Sequence, residues 1–133
     1  MVFVDANLFV YAATDDPRRK HCLAILRMVA AGRLRGTNGS DRDRRTPASG
    51  TPGAAKHAYE LLTPLLDITD EIVREALMIE VSGLGANDRL IVATCRAAGI
   101  STILSADVGV DRVPGLGRID PLDASAVGRL LDA

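Results

Sequence analysis

The sequence predicts an α/β domain of three layers, α/β/α, with a mostly parallel central sheet, and three observations carry that prediction. Short β-branched or aromatic runs at Val2–Val4, Ile100–Leu104 and near Ile119 read as buried strands. Segments with apolar residues at helical spacing lie between them, so strands and helices alternate along the chain. A length of 133 residues, 47% hydrophobic and 25% charged, supplies one core, and residues 1–133 are expected to form a single domain.

Taken in order, Val2-Phe3-Val4 stops at Asp5, which places an acid at the carboxyl end of the first strand. Asp15-Asp16-Pro17 then predicts a helix start, with acids at the cap and Pro in the first helical position. Cys22, Leu23, Ile25, Leu26, Val29 and Ala30 form its apolar stripe, and Gly32 supplies the stop. Residues 35–57 contain no Val, Ile, Leu, Met, Phe, Trp, Tyr or Cys, so they have nothing to bury and read as an irregular or disordered segment.

Order resumes with a short helix over 56–62 and a strand over 64–69. A helix starting at Thr69 or Asp70 follows, with Ile72, Val73, Ala76, Leu77 and Ile79 on its buried face and Gly83 as its end. Asn87 is placed to cap a helix over 88–98 that ends at Gly99. The strand at Ile100–Leu104 ends near Asp107, and a short strand near Ile119 and a helix over 123–130 complete the fold.

A formal net charge of −1 gives no global attraction to nucleic acid, so such binding would need a local patch. No apolar run approaches the roughly 20 residues of a membrane span, and the first ten residues carry Asp5 where a signal peptide has a basic start. The expectation is a cytoplasmic protein with no membrane partner. Cys22 and Cys95 each sit in an apolar helical pattern, as small buried hydrophobes do.

In an open parallel sheet, ligands bind beyond the carboxyl ends of the strands. Asp5 and Asp107 fall at such ends, and Asp88 falls at a helix start whose dipole faces the same rim. Any one of them alone is an ordinary turn or capping residue. Three carboxylates gathered together repel one another unless a cation sits among them, and oxygen-only ligands favour Mg²⁺ or Mn²⁺. Asn7, two residues after Asp5, is placed to hold a metal-bound water, and Asp111 to serve as an outer or fourth ligand. A phosphatase that needs Asp-x-Asp after its first strand is excluded by Asp5-Ala6-Asn7. A receiver domain that needs a Lys after its last strands is excluded because the only lysines are Lys20 and Lys56.

Residues 2–12 (VFVDANLFVYA) resemble the first motif of PIN-domain ribonucleases, particularly the VapC toxins of toxin–antitoxin pairs. Residues 84–94 (LGANDRLIVAT) are similar to the acidic motif at a helix start, and residues 102–107 with 111–116 are similar to the closing acidic motif. Each motif is weak alone; the ordered set is fairly specific and covers residues 1–32 and roughly 60–122. The resemblance implies that Asp5, Asp88 and Asp107 are catalytic and bind Mg²⁺ or Mn²⁺ for hydrolysis of RNA phosphodiesters. It implies, as partners, an antitoxin protein whose tail covers the rim and a second copy in a homodimer.

One departure stands out. The family carries a Glu at a helix start about forty residues in, whereas no Glu lies between residues 1 and 59 here. The alternative expectation is therefore a degenerate PIN fold that binds antitoxin or RNA without cleaving it. Arg18-Arg19-Lys20-His21 and the arginines at 33, 35, 42, 44 and 45 read as solvated faces, Arg89 as half of a surface ion pair, Phe9 as core, and Tyr11 as either core or part of the groove lining.

Overall fold

A computed structural model describes residues 1–37 and 66–132. Its strands are β1 (Val2–Val4), β2 (Gly36–Thr37), β3 (Thr102–Leu104) and β4 (Gly117–Ile119). Its helices are α1 (Asn7–Ala13), α2 (Arg19–Ala30), α3 (Asp70–Met78), α4 (Ala86–Ala97) and α5 (Ala124–Asp132), with a 3-10 turn, η1 (Val108–Arg112), between β3 and β4. The strands join in the order β2-β1-β3-β4, every pairing parallel.

Side chains alternate along a strand, so Val2 and Val4 face one side of the sheet and Phe3 the other. The register Phe3↔Ile103 and Val4↔Leu104 carries each set across to β3. Val2, Val4 and Leu104 pack with Leu8 and Phe9 of α1, Cys22 and Ile25 of α2 and Val127 of α5. Phe3 and Ile103 pack with Ile72 of α3, Val92 and Cys95 of α4 and Val110 of η1. Two helical layers therefore enclose the sheet, giving the expected α/β/α fold.

The strand ends converge because the ladder continues one residue past each of them. Asp5 N–H donates to Leu104 O at 3.0 Å, and Ser105 N–H donates to Ile119 O at 3.1 Å. The carboxyl edges of β1, β3 and β4 are thereby level, and the side chains of Asp5 and Ser105 emerge beside one another. Helix α3 starts at Thr69, whose side chain accepts from Ile72 N–H at 3.3 Å. Gly99 follows α4 at φ 68, where a side chain would be strained, and lets the chain turn directly into β3.

Several elements differ from the sequence expectation. Helix α1 is new: the largely apolar run after Asp5 coils at once, with Leu8 N–H bonded to Asp5 O at 3.0 Å. Pro17 and Arg18 form a turn ahead of α2, where Asp16 Oδ1 accepts from Arg18 N–H at 2.8 Å. Gly36–Thr37 pair with β1, so the segment expected to be irregular from residue 35 begins with a strand. Helix α3 stops at Met78, because Ile79 turns extended (ψ 115) and reaches the core from there. Leu77 is 74% exposed and Val73 is also exposed, because the helix faces the sheet through Ile72 and Ala76, one full turn apart. Gly85 occupies the cap of α4, which places Asn87 and Asp88 inside the first turn. No strand runs over residues 67–69. The helix expected over 56–62, the remainder of the irregular segment and residues 64–65 lie outside the described residues.

Candidate active site

Asp5 is buried, 8% exposed, immediately beyond β1. Its Oδ1 accepts from Asn7 N–H at 3.1 Å, and its Oδ2 accepts from Ser105 Oγ at 2.7 Å. Asp107 lies two residues beyond Ser105 and is exposed; its Oδ1 accepts from Gly109 N–H at 2.9 Å, which caps η1. Asp107 N–H donates to Ser105 Oγ at 3.0 Å. An amide can only donate, so the hydroxyl uses a lone pair there and its own proton must go to Asp5.

Ser105 is thus completely satisfied. It is fully buried, and its N–H meets Ile119 O, its O meets Arg118 Nη1 at 2.9 Å, and its hydroxyl joins Asp5 to Asp107. Sequence reasoning passed over it. Its signal was a hydroxyl residue at the strand end, two positions ahead of the acid.

Asp88 reaches the same rim from the first turn of α4. Burial holds it above the usual carboxylate range, and the charges of Asp107 and Asp5 add to that, while a backbone hydrogen bond at Gly85 acts in the opposite direction. All three acids named from the sequence therefore share one rim, close enough for Asp88 to sense both others. They do not form a closed cage: among the described residues, no three His, Cys, Asp or Glu side chains stand ready to hold a metal ion. The donor chemistry nevertheless fits a hard divalent cation, because the oxygens are carboxylate and the mutual repulsion at Asp88 is what a bound cation would relieve.

Asn7 is the first residue of α1, and its link to Asp5 runs through its backbone N–H. Asp111 gives both carboxylate oxygens to Arg118, Oδ1 to Nε at 2.8 Å and Oδ2 to Nη2 at 3.2 Å. That hydrogen-bonded pairing pulls Asp111 below the usual carboxylate range. Arg118, in the middle of β4, was also missed; a charge inside a parallel strand is the signal that it needs partners.

Arg18 and Arg112 are also tied into the fold. Arg18 bonds Asp16 at 2.9 and 3.1 Å and stacks over Tyr11, 3.8 Å from the ring centroid. Arg112 Nη1 donates to Ser82 O at 3.1 Å and ties η1 to the loop that leads into α4. Arg89, beside Asp88, differs: its Nε is buried without a hydrogen-bond partner among the described residues, where the sequence predicted a surface ion pair. Burial pushes the thiols of Cys22 and Cys95 up to about 11 and about 12, as expected of packing residues. Among the described residues, no helix is long and apolar enough to cross a membrane.

The family model described as PIN domain matches residues 51–116, a span that takes in Asp88 and Asp107 and begins after Asp5. No curated protein matches the chain. Residues 51–116 are thus similar to a PIN domain, and the all-parallel sheet between two helical layers agrees with that similarity.

Proposed function

We propose that this protein is an Mg²⁺- or Mn²⁺-dependent endoribonuclease that hydrolyses RNA phosphodiesters as the toxin of a toxin–antitoxin pair. The observation that carries the reading is the shared rim: Asp5 and Asp107 meet at Ser105, and Asp88 lies near enough to feel both charges. Asp5, Asp88 and Asp107 are the residues that would hold the cation. When bound, such an ion supplies an acidified water and neutralises charge on the phosphate. The protein's own contribution is orientation: the Ser105 hydroxyl and the Asn7 N–H fix both oxygens of Asp5, and the η1 cap fixes Asp107. Asn7 is assigned to hold the attacking water. By the same family resemblance, the partners are an antitoxin whose tail covers the acidic rim and a second copy of the chain.

A second reading has its own support. The missing Glu before residue 60 and the open arrangement of the acids favour a degenerate PIN fold that binds antitoxin or RNA without cutting. One experiment separates the two. Purified protein incubated with RNA and Mg²⁺ or Mn²⁺ is expected to cleave it, to stop with EDTA and to lose at least about 100-fold in rate as Asp5→Asn. Absent or EDTA-insensitive cleavage would overturn the nuclease reading.

A further inference from the structure

We infer that Arg118 is a positioning residue for the acidic rim, held by Asp111 and acting through Ser105. This inference rests on the nuclease reading above, because it assigns a task to residues around that same site.

The inference starts from cost. Arg118 lies within β4 with only 12% of its side chain exposed, and a charge there is expensive unless its donors are satisfied. Its guanidinium meets three partners: both oxygens of Asp111, Oδ2 of Asp120 at 3.3 Å, and the backbone oxygen of Ser105 at 2.9 Å. Asp111 is 51% exposed, so its pairing adds little to folding stability. What it does provide is direction. A planar fork gripped on its outer edge by a carboxylate can present Nη1 along only one line.

That line ends at the residue touching two of the three acids. Ser105 has its N–H fixed by Ile119 and its oxygen fixed by Arg118, so its backbone cannot rotate without breaking a bond at either end. The hydroxyl between Asp5 Oδ2 and Asp107 N–H is placed accordingly. Asp111 therefore influences the site from two bonds away, through Arg118. A lysine at position 118 would keep the charge and one bond but lose the two-point grip.

The test uses the full chain and the variants Arg118→Met, Arg118→Lys, Ser105→Ala and the double variant Ser105→Ala with Arg118→Met. The readouts are Mn²⁺ affinity by electron paramagnetic resonance and hydrogen exchange at the Asp107 amide. Arg118→Met is expected to weaken Mn²⁺ binding by about 10- to 100-fold and to speed Asp107 exchange, with Arg118→Lys intermediate. In the double variant, the loss of Arg118 is expected to add little to the loss of Ser105, because both act on one path.

If wild type binds Mn²⁺ and Arg118→Met binds it equally well, or if the two losses simply multiply, the positioning role is overturned while the nuclease reading stands. A wild type that neither binds Mn²⁺ nor cleaves RNA removes the nuclease reading and this inference with it.

Discussion

The turn after β3 and the first turn of α4 meet at one rim, yet they are stabilised in opposite ways. In the β3 turn every polar group of Ser105 is used, and Asp5 and Asp107 are each anchored by a backbone N–H. In the α4 turn Asp88 is pressed by burial and by two neighbouring carboxylates, and the Nε of Arg89 has no acceptor among the described residues. The first region is complete in the folded chain. The second carries unrelieved electrostatic cost, a pattern that clusters at functional sites. The contrast teaches that this rim is half preorganised, with its geometry fixed on the sheet side and its charge left unbalanced on the helix side.

Breaking the satisfied side should have the largest effect on stability. Ser105→Ala leaves Asp107 N–H and Asp5 Oδ2 short of a partner inside the protein, and is expected to cost about 2 kcal/mol in urea unfolding. Next comes the tether between the two turns. Gly83 has φ 79, and a Cβ there would lie 2.6 Å from Arg112 Nη1, the atom that holds Ser82. Gly83→Ala is therefore expected to cost about 1–2 kcal/mol and to loosen the entry to α4, read as faster amide exchange at residues 82–85.

The unsatisfied side should respond the other way. The folded pKa of Asp88 is raised, so the folded protein binds that proton more tightly than the unfolded chain does. Its contribution to stability is present below the unfolded value of 3.8 and is lost as pH rises through the raised folded value. Asp88→Asn, which cannot ionise, should therefore be more stable than wild type in EDTA at neutral pH, with the gap closing below pH 3.8. Equal stability of the two at neutral pH would show that the helix side is not under strain. The smallest effect belongs to Arg89→Met, which keeps the apolar stem and removes a buried donor that has no partner among the described residues. It is expected to stay within about 0.5 kcal/mol of wild type, on the stabilising side, in thermal unfolding.

Much of this was legible in the chain because it depends on local pattern. Asp5 follows an apolar run of three, and Asp107 closely follows another, so their placement at strand ends was readable from spacing. Asp88 was readable from the helical stripe beginning just after it. Helix α1 was missed because its seven residues are shorter than the window in which helical periodicity shows. Val73 and Leu77 were expected inside and lie outside, because apolar spacing defines a stripe without fixing which edge of it meets the sheet.

What the sequence determined by itself is the longer helices, the strands at Val2–Val4 and Thr102–Leu104, the fold class they imply and the three aspartates at their ends, since each follows from neighbours within a few residues. Tertiary structure alone decided which side chains bind those acids. Ser105 and Asp5 are separated by 100 positions in the chain and become partners only because β1 and β3 pair in parallel register. Arg118 and Asp111 lie near in sequence, but their meaning depends on the β3–β4 pairing that brings the guanidinium against the Ser105 carbonyl. A hydrogen bond needs atoms within about 3 Å, and only the packing of the whole sheet sets distances between remote residues that finely.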